Sequence, residues 1–314
     1  MLVVGAALGA ATGCRSAIGV GLLNLVGLSE KPLVLGVVTE RLDAAQRSAE
    51  LLNPIGPYND AMNALGAATR RRVTPSVCFP FQTQPNLDVG LYHLAVLTPC
   101  QFARLTDPTK VEVMATAIDL QGRAARPALL IARDDSPIKA CEDLRGKVVA
   151  FGPKNDSRTH TAALMLLDSH GLKPGDLSLE VLPVPGSLKH FPNANGVVKS
   201  VNNRSSAAGF VDIADWEALP ETGSADAPGR SSFRIVAETV ALPNHLILRS
   251  PTLDETTTEA ARAFFLSVSE HNREAMRPIG VSGYEAPTPD VMETCLSLRA
   301  VVSADSPASL ILPQ

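Results

Sequence analysis

The stretch at residues 143–171 most constrains the fold, because it places a short apolar strand directly before a capped helix. Apolar residues at 147–151 predict the strand, and Gly152 with Pro153 ends it. Helix-capping residue types follow at 156–159, ahead of the helical period of residues 163–167, and Gly171 ends the helix. A unit of strand, loop and helix is typical of α/β proteins, in which helices cover a sheet.

The start of this predicted helix is a candidate anion site. Free backbone N–H groups and the positive end of the helix dipole favour negative charge there. Ser157 and Thr159 add hydroxyl groups, and Arg158 adds a guanidinium group. The alternative is ordinary capping, since most helices need a cap and few of them bind a ligand.

The rest of the chain alternates in the same way between strand-like and helix-like segments, without internal repeats. This alternation predicts α/β layers with a mainly parallel sheet rather than a sandwich or a bundle. Residues 220–232 are rich in Pro, Gly, Ser and Ala, which predicts a surface loop. The predicted strands are 33–38, 76–79, 91–97, 111–119, 128–133, 147–151, 177–184, 207–211, 233–239 and 245–248. The predicted helices are 42–52, 58–72, a short turn after Pro99, 161–170, 194–201, 255–269 and 289–300.

Length and charge exclude several classes of protein. The chain has 314 residues, enough for two lobes of ordinary domain size. Hydrophobic residues make up 45%, charged residues 19%, and the net charge is -4, so no positive field is present to attract nucleic acid. We therefore predict a globular protein without a nucleic-acid partner.

The first 28 residues predict an export segment. They carry a single charged residue, Arg15, among many Leu, Val, Ala and Gly residues. The run Ala-Thr-Gly-Cys at 11–14 resembles the lipobox of bacterial lipoproteins, in which the cysteine, here Cys14, is acylated after cleavage. The alternative is an uncleaved membrane anchor over the same residues. Both interpretations place the body of the protein outside the cytoplasmic membrane.

The four remaining cysteines, Cys78, Cys100, Cys141 and Cys295, lie far apart in the sequence. Because they show neither CxxC pairing nor Cys/His spacing, we predict no metal site and no cofactor. In an exported protein they have three possible disulfide pairings, and the sequence favours none of them. Buried free thiols are the alternative.

One segment resembles a known family in the order of its residues. An apolar strand at 129–133 is followed by Asp-Ser-Pro-Ile at 135–138, Asp-Leu-Arg-Gly-Lys at 143–147, the Phe-Gly turn at 151–152, His190, and Ala-Leu-Pro-Asn at 241–244. From about residue 32 to 299 the chain resembles the phosphate, phosphite and phosphonate class of solute-binding proteins of bacterial ABC importers. These proteins have a type II periplasmic-binding-protein fold.

The resemblance implies two α/β lobes joined by two crossing strands, with the ligand in the cleft between them. Lobe one would comprise residues 31–133 plus 234–314, and lobe two residues 134–233. The implied partners are a small oxyanion and an ABC permease in the inner membrane. The implied location is the periplasm, with the protein monomeric and either free or attached to the membrane through its N-terminal segment.

The resemblance also implies a set of ligand-binding residues. The family binds its anion at a helix start, which corresponds here to Ser157, Arg158, Thr159 and His160. From lobe one, Thr98 and Tyr58 occupy positions where the family supplies donors, and His190 matches a histidine that reaches the ligand. Tyr58 is equally explained as a partly buried aromatic residue at a helix start, and His190 as a structural residue. Core packing is the expectation for Trp216.

Three functions fit these expectations. The first is an extracytoplasmic binding protein without catalysis, whose lobes close on a small oxyanion. The second is an enzyme on the same fold, similar to a pyrimidine-precursor synthase, although the chain contains neither GxSxG nor HExxH. The third is a ligand-sensing domain without a transport role. We predict the first, with no catalytic residue.

Overall fold

The computed structural model of this protein describes residues 31–38, 56–178, 188–223, 228–267 and 270–304. The predicted export segment with Cys14 and the predicted helix at 42–52 lie outside these residues. Most of the predicted strand at 177–184 also lies outside them. Within the described residues, no helix combines the length and the apolar character that a membrane span requires.

The strands lie close to their predicted positions in most cases. In chain order they are β1 (Leu33–Val38), β2 (Val73–Cys78), β3 (Leu94–Leu97), β4 (Glu112–Asp119), β5 (Ala125–Arg126), β6 (Ala128–Arg133), β7 (Val149–Phe151), β8 (Lys189–His190), β9 (Ala208–Asp212), β10 (Phe233–Glu238), β11 (Leu242–Pro243), β12 (Leu246–Arg249) and β13 (Val281–Glu285).

The helices cover the sheets. In chain order they are α1 (Asn59–Thr69), α2 (Pro80–Asp88), α3 (Pro99–Ala103), a π-helix (Ser157–Ala162) that continues into α4 (Ala163–Ser169), α5 (Ala194–Asn202), α6 (Ile213–Ala218), α7 (Glu255–Leu266), α8 (Glu270–Met276), α9 (Pro289–Ser297) and α10 (Arg299–Ala304).

Two larger sheets are present, and both are mixed. The six-stranded sheet has the order β13-β4-β12-β3-β1-β2, and the five-stranded sheet has the order β10-β6-β9-β7-β8. Among the described residues, parallel pairing is limited to β1 with β2 and β3, and to β7 with β8 and β9. The prediction of a mainly parallel sheet is therefore wrong. The chain leaves the six-stranded sheet after β4 and returns at β12, which enters antiparallel to both β3 and β4.

Two chain segments pass between the sheets. One connects β4 to β6, and the other connects β10 to β12. Within them β5 and β11 pair antiparallel as a small ribbon. Next to this ribbon, Cys100 and Ala103 of α3 pack with Ala162 of the π-helix, Leu242 and Leu298 in one buried apolar cluster. Helices of both sheets therefore contact each other directly at this point.

Each large sheet also has its own apolar core. Leu94 and Ile247 lie in the core of the six-stranded sheet, and Leu130 and Phe210 in that of the five-stranded sheet. Trp216 packs edge-on against Phe233, as expected for a core residue. Cys100, Cys141 and Cys295 are buried.

Helices α2, α6 and α8 were not predicted from the sequence. Helix α2 begins at Pro80 and contains Pro85, and prolines normally indicate a break. Pro80 occupies the first helical turn, where a backbone donor is not needed. The main-chain N–H of Phe79 donates to the side chain of Gln82, which closes the helix start. Helix α6 is too short for its period to be visible in the sequence.

Candidate ligand site

A cavity of about 520 Å³ lies at the carboxyl ends of β7 and β9. The first residues of α5 and α6 and the start of the π-helix border the same space. Its wall is built from Arg126, residues 152–153, residues 192–195, residues 210–212, the inner face of α6 with Leu219, and Asp156, Arg158 and Thr159. This volume is ordinary for a small-molecule site, which typically has about 300–1,000 Å³.

Asp156 caps the π-helix, and its carboxylate occupies the N-terminal end of that helix. Its Oδ1 accepts hydrogen bonds from the backbone N–H of Arg158 at 3.0 Å and of Thr159 at 2.8 Å. The hydroxyl of Thr159 donates to the same oxygen at 2.8 Å. The donors that the sequence offers to an external anion are therefore bound to a carboxylate of the chain itself. We call Asp156 with Ser157–Ala162 the Asp156 helix start.

Gly152 makes this arrangement possible. A Cβ at position 152 would lie 2.0 Å from the Oγ1 of Thr159 and 2.7 Å from its Cβ, which no side chain tolerates. The backbone of Asn155 has a left-handed conformation, with φ at 69°. Its N–H donates to Nδ1 of His160 at 3.0 Å. The loop therefore closes onto the first turn of the helix before the chain continues into α4.

Arg158 is buried, with 9% of its surface exposed, and its guanidinium reaches the two segments that pass between the sheets. Nε donates to the carbonyl of Arg126 at 3.1 Å. Nη2 donates to the carbonyls of Leu242 and Pro243 at 3.2 and 2.8 Å, and to Oδ1 of Asn244 at 2.8 Å. Desolvation lowers the pKa of Arg158, and the nearby Asp212 carboxylate opposes that shift. Most of its donors are used inside the protein.

Asp212 and Arg126 carry the other charges of the inner wall. Oδ2 of Asp212 lies 3.3 Å from Nη2 of Arg126 and 3.5 Å from Nη1 of Arg158. Oδ1 of Asp212 accepts from the N–H of Ala214 and so caps α6. Nη1 of Arg126 also pairs with Asp119 at 3.2 Å. Each guanidinium group of the wall therefore has a carboxylate partner.

Asp215 is different, because it makes no hydrogen bond or ion pair within the described part of the chain. It lies on the first turns of α6 and faces the cavity. Desolvation raises the pKa of Asp215, and the negative charges of Asp212 and Asp156 raise it further, against the effect of Arg126. Its side chain is exposed to solvent at the edge of the cavity.

The other residues predicted to bind the ligand are not part of the cavity wall. The hydroxyl of Ser157 accepts from the backbone N–H of Cys100 at 3.0 Å. The rings of His160 and His190 are in edge contact, with centroids 4.9 Å apart, and both pack on Phe151. The structure thus brings Ser157 and the two histidines into packing contacts of the protein interior.

Thr98 and Tyr58 belong to helix starts next to the six-stranded sheet. Thr98 caps α3: its hydroxyl accepts from the N–H of Gln101, and its own N–H donates to the Gln101 side chain at 2.9 Å. We call Thr98 with Pro99–Ala103 the Thr98 helix start. Tyr58 packs against the core of the six-stranded sheet, and burial raises the pKa of its hydroxyl. Of the seven predicted residues, only Arg158 and Thr159 line the cavity.

Arg126, Asp212 and Asp215 line the cavity but were not predicted as site residues. Asp212 ends β9 and opens α6, and a capping residue type at the end of a strand was the available signal. Asp215 follows one helical turn later, on the same face. Their proximity to Asp156 arises only from the pairing of β9 with β7.

Comparisons with known proteins agree with this architecture. A family model for the periplasmic substrate-binding protein of phosphonate ABC transporters matches residues 58–292. A search of curated proteins finds no significant sequence match.

Solved structures share the fold at low sequence identity. The protein XAC2383 from Xanthomonas citri, bound to ATP, has a TM-score of 0.66 and 18% identity, over 87% of this chain and 98% of that one. PhnD1 from Prochlorococcus marinus, in complex with methylphosphonate, has a TM-score of 0.60 and 13% identity, over 87% and 98%. A binding component of an ABC phosphonate transporter from Pseudomonas aeruginosa has a TM-score of 0.57 and 14% identity, over 87% of each chain. The prediction of a type II periplasmic-binding-protein fold is confirmed.

Proposed function

The chain belongs to the family of periplasmic substrate-binding proteins of ABC phosphonate transporters, and from this premise we propose that it holds a small ligand in the cavity and delivers it to an ABC permease. Family membership implies an extracytoplasmic location. The family is one of transport proteins, and we propose that this chain likewise acts by binding, without catalysis.

The position of the cavity carries this proposal. In open α/β sheets, ligands bind outside the carboxyl ends of the strands, where helix starts also converge. The cavity has this position relative to β7 and β9, and two helix starts, at Asn193 and Asp212, open onto it. Arg158 connects its wall to both segments that pass between the sheets. A ligand in the cavity would therefore contact Arg158, which is hydrogen-bonded to both segments that join the two sheets.

The sequence predicts a small oxyanion as the ligand. In the cavity, such an anion would find its donors at the backbone N–H groups of Arg158 and Thr159. To reach them it must displace the Asp156 carboxylate, which is tethered beside them. The identity of the ligand therefore stays a prediction.

A cavity-filling variant tests the location. Asn195 lies in the cavity wall at the start of α5 and is exposed, so Asn195→Trp would fill the space without disturbing the core. The control is Asn203→Trp, the same exchange just beyond the other end of that helix. We expect a ligand that raises the melting temperature of the wild type and of the control to have no effect on Asn195→Trp. Equal stabilisation of all three proteins would place the ligand elsewhere.

Three further properties of the protein are proposed. Docking to a permease, a monomeric state and the lipidation of Cys14 are proposals that follow from the family and from the sequence of the first residues. Mass spectrometry of the protein purified from membranes tests the last of these, because acylation adds a fixed mass at Cys14.

A further inference from the structure

Helix α2 exposes apolar side chains and buries polar ones, the reverse of an ordinary surface helix. Phe81, Pro85 and Val89 are spaced four residues apart, so they form a stripe along one face of the helix and its end. Phe81 is 76% exposed, Val89 is 67% exposed, and Pro85 is exposed as well. On the inner face, Thr83 and Gln84 are buried. The apolar stripe of α2 therefore faces solvent.

The buried face fixes this orientation of α2. The Gln84 side chain makes two hydrogen bonds with the backbone of Asp107: Nε2 donates to the carbonyl at 3.1 Å, and Oε1 accepts from the N–H at 2.8 Å. The Thr83 hydroxyl donates to the carbonyl of Phe79 at 3.2 Å, and Leu87 packs in an apolar core. Turning the stripe inward would break these hydrogen bonds and leave buried polar groups without partners. The stripe is therefore a fixed feature of the surface.

Two further side chains add to the stripe. The Phe79 ring stacks parallel to the ring of Phe81, with centroids 5.8 Å apart. Leu91 follows Val89 by two residues and is 61% exposed. Among the described residues, Phe81, Val89 and Leu91 are the most exposed large apolar side chains. We call Phe81, Pro85, Val89 and Leu91 the α2 ridge. An apolar surface of this kind indicates contact with another molecule or with a membrane.

The α2 ridge ends close to the strand that follows the N-terminal segment. The backbone N–H of His93, two residues after Leu91, donates to the carbonyl of Val34 in β1 at 2.9 Å. Residues 1–32 precede β1, and the first 28 predict the export segment. If those 28 residues anchor the protein, residues 29–32 span at most about 14 Å between the bilayer and β1. If the acylated Cys14 is the anchor, residues 15–32 span at most about 60 Å. In both alternatives the bilayer is within reach of the ridge.

Cations lie at the same edge of the six-stranded sheet. Arg70 and Arg72 are exposed, and the carbonyl of Arg72 accepts from the first N–H of β1 at 2.8 Å. Arg71, between them, pairs with Asp254 at 3.3 Å. Asp88 of α2 is exposed and offsets one positive charge. Arginines at a membrane surface attract anionic lipid headgroups, and the ridge supplies the apolar side chains that enter between them.

We propose that the α2 ridge lies on the lipid surface of the membrane that carries the N-terminal segment, with Phe81, Val89 and Leu91 between the headgroups. The arginines beside β1 contact anionic headgroups, and the body of the protein is held in one orientation. This inference goes beyond the proposed function and does not depend on the ligand cavity, because none of the ridge residues lines that cavity.

Tryptophan quenching on vesicles tests the proposal with the full chain. The vesicles contain phosphatidylethanolamine and phosphatidylglycerol with brominated acyl chains, which quench tryptophan on contact. The only native tryptophan, Trp216, is buried and gives the same background in every variant. We expect Leu91→Trp to be quenched well beyond the wild type, because the ridge lies at the depth of the headgroups.

The matched control is Leu120→Trp. Leu120 is 49% exposed and follows β4, which runs in the same direction as β3, so it lies at the opposite edge of the six-stranded sheet. We expect this variant to show no more quenching than the wild type.

A second variant tests the ridge itself. Phe81→Asp, combined with Leu91→Trp, places a charge in the ridge and should lower the quenching by about twofold or more. Leu120→Asp, combined with Leu91→Trp, is the same kind of exchange outside the ridge and should leave the quenching unchanged. Because Phe81 and Leu120 are both exposed, we expect the melting temperatures of these variants to stay close to that of the wild type.

Three results would overturn the proposal. The first is Leu91→Trp without quenching beyond the wild type, and the second is equal quenching of Leu91→Trp and Leu120→Trp. The third is a dimer in analytical ultracentrifugation that Phe81→Asp converts to a monomer, because the ridge would then be covered by a second copy of the chain. None of these results bears on ligand binding, which the Asn195→Trp variant tests separately.

Discussion

The Thr98 helix start and the Asp156 helix start are capped in similar ways, yet only one of them borders the cavity. The Thr98 hydroxyl accepts from the backbone N–H of Gln101, and the Gln101 side chain accepts from the backbone N–H of Thr98. These two hydrogen bonds cap α3. The second is capped by a carboxylate that remains in the cavity wall. The two starts contact each other through Cys100 and Ser157. Helix starts on facing sheets can therefore bind each other instead of a shared ligand.

The largest expected effect concerns Arg158, the buried cation of the Asp156 helix start. Arg158→Met leaves several buried carbonyl oxygens without donors and Asp212 with one cation fewer. We expect the free energy of unfolding to fall by about 3–5 kcal/mol, measured by urea denaturation. The control is Arg145→Met, because Arg145 is 59% exposed in its pair with Asp176, and it should cost far less. Equal small losses would indicate that Arg158 is free to bind a ligand.

The next effect concerns His245, which lies on the segment that connects β10 to β12 and is close to the positive charges of Arg158 and Arg126. Desolvation, followed by these two guanidinium groups, lowers the pKa of His245 to about 4. A histidine whose pKa is lowered on folding stays neutral in the native state but takes up a proton in the unfolded state. Stability should therefore fall as the pH drops from about 6.5 to about 4, by at most about 3 kcal/mol.

The measurement is the urea midpoint as a function of pH, for the wild type and for His245→Gln. The variant lacks this titration, so its midpoint should decline less over the same interval. Parallel curves would show that His245 is not held neutral by its surroundings.

A third, smaller effect concerns the close approach of Gly152 to Thr159. Gly152→Ala should cost about 1–3 kcal/mol, because the new Cβ forces Thr159 away from its bond with Asp156. Gly175→Ala is the matched control, since no atom lies within 4 Å of its added Cβ, and we expect no loss there. Thermal denaturation of both variants checks this. A neutral Gly152→Ala would mean that the Asp156 helix start is less tightly closed.

The smallest effect concerns the hydrogen bond between the two helix starts, from Cys100 to Ser157. Ser157→Ala removes the acceptor of the buried Cys100 N–H and should cost about 1–2 kcal/mol without changing ligand affinity, because Ser157 is outside the cavity wall. Ser169→Ala, at the exposed end of α4, is the control. Melting curves with and without the ligand measure both quantities. Lost affinity with unchanged stability would instead place the ligand between the helix starts.

The sequence predicted the local features of this region and the family, but not the site's charges. The strand before Gly152, the capping residues and the helix that follows all depend on neighbouring residues, so their pattern is visible in the chain. The partners of Arg158 lie 32 to 86 residues away, and that separation hid its structural role. Capping residue types were visible, whereas the choice between internal capping and ligand binding depends on the fold.

The same limit applies to the sheets and to the cavity. The alternation of strands and helices predicts α/β layers, but it does not give the direction in which β12 enters the six-stranded sheet. Asp215 was missed because α6 has only six residues, too few for a period. It reaches the same cavity as Asp156 because β9 pairs with β7, which no local pattern encodes.

The most direct test of the account is a crystal structure of the protein in complex with a small ligand that raises its melting temperature. The account predicts that the ligand lies in the cavity at the carboxyl ends of β7 and β9, in contact with residues of its wall. A ligand bound between the Thr98 and Asp156 helix starts, in contact with Thr98 and Ser157, would contradict it.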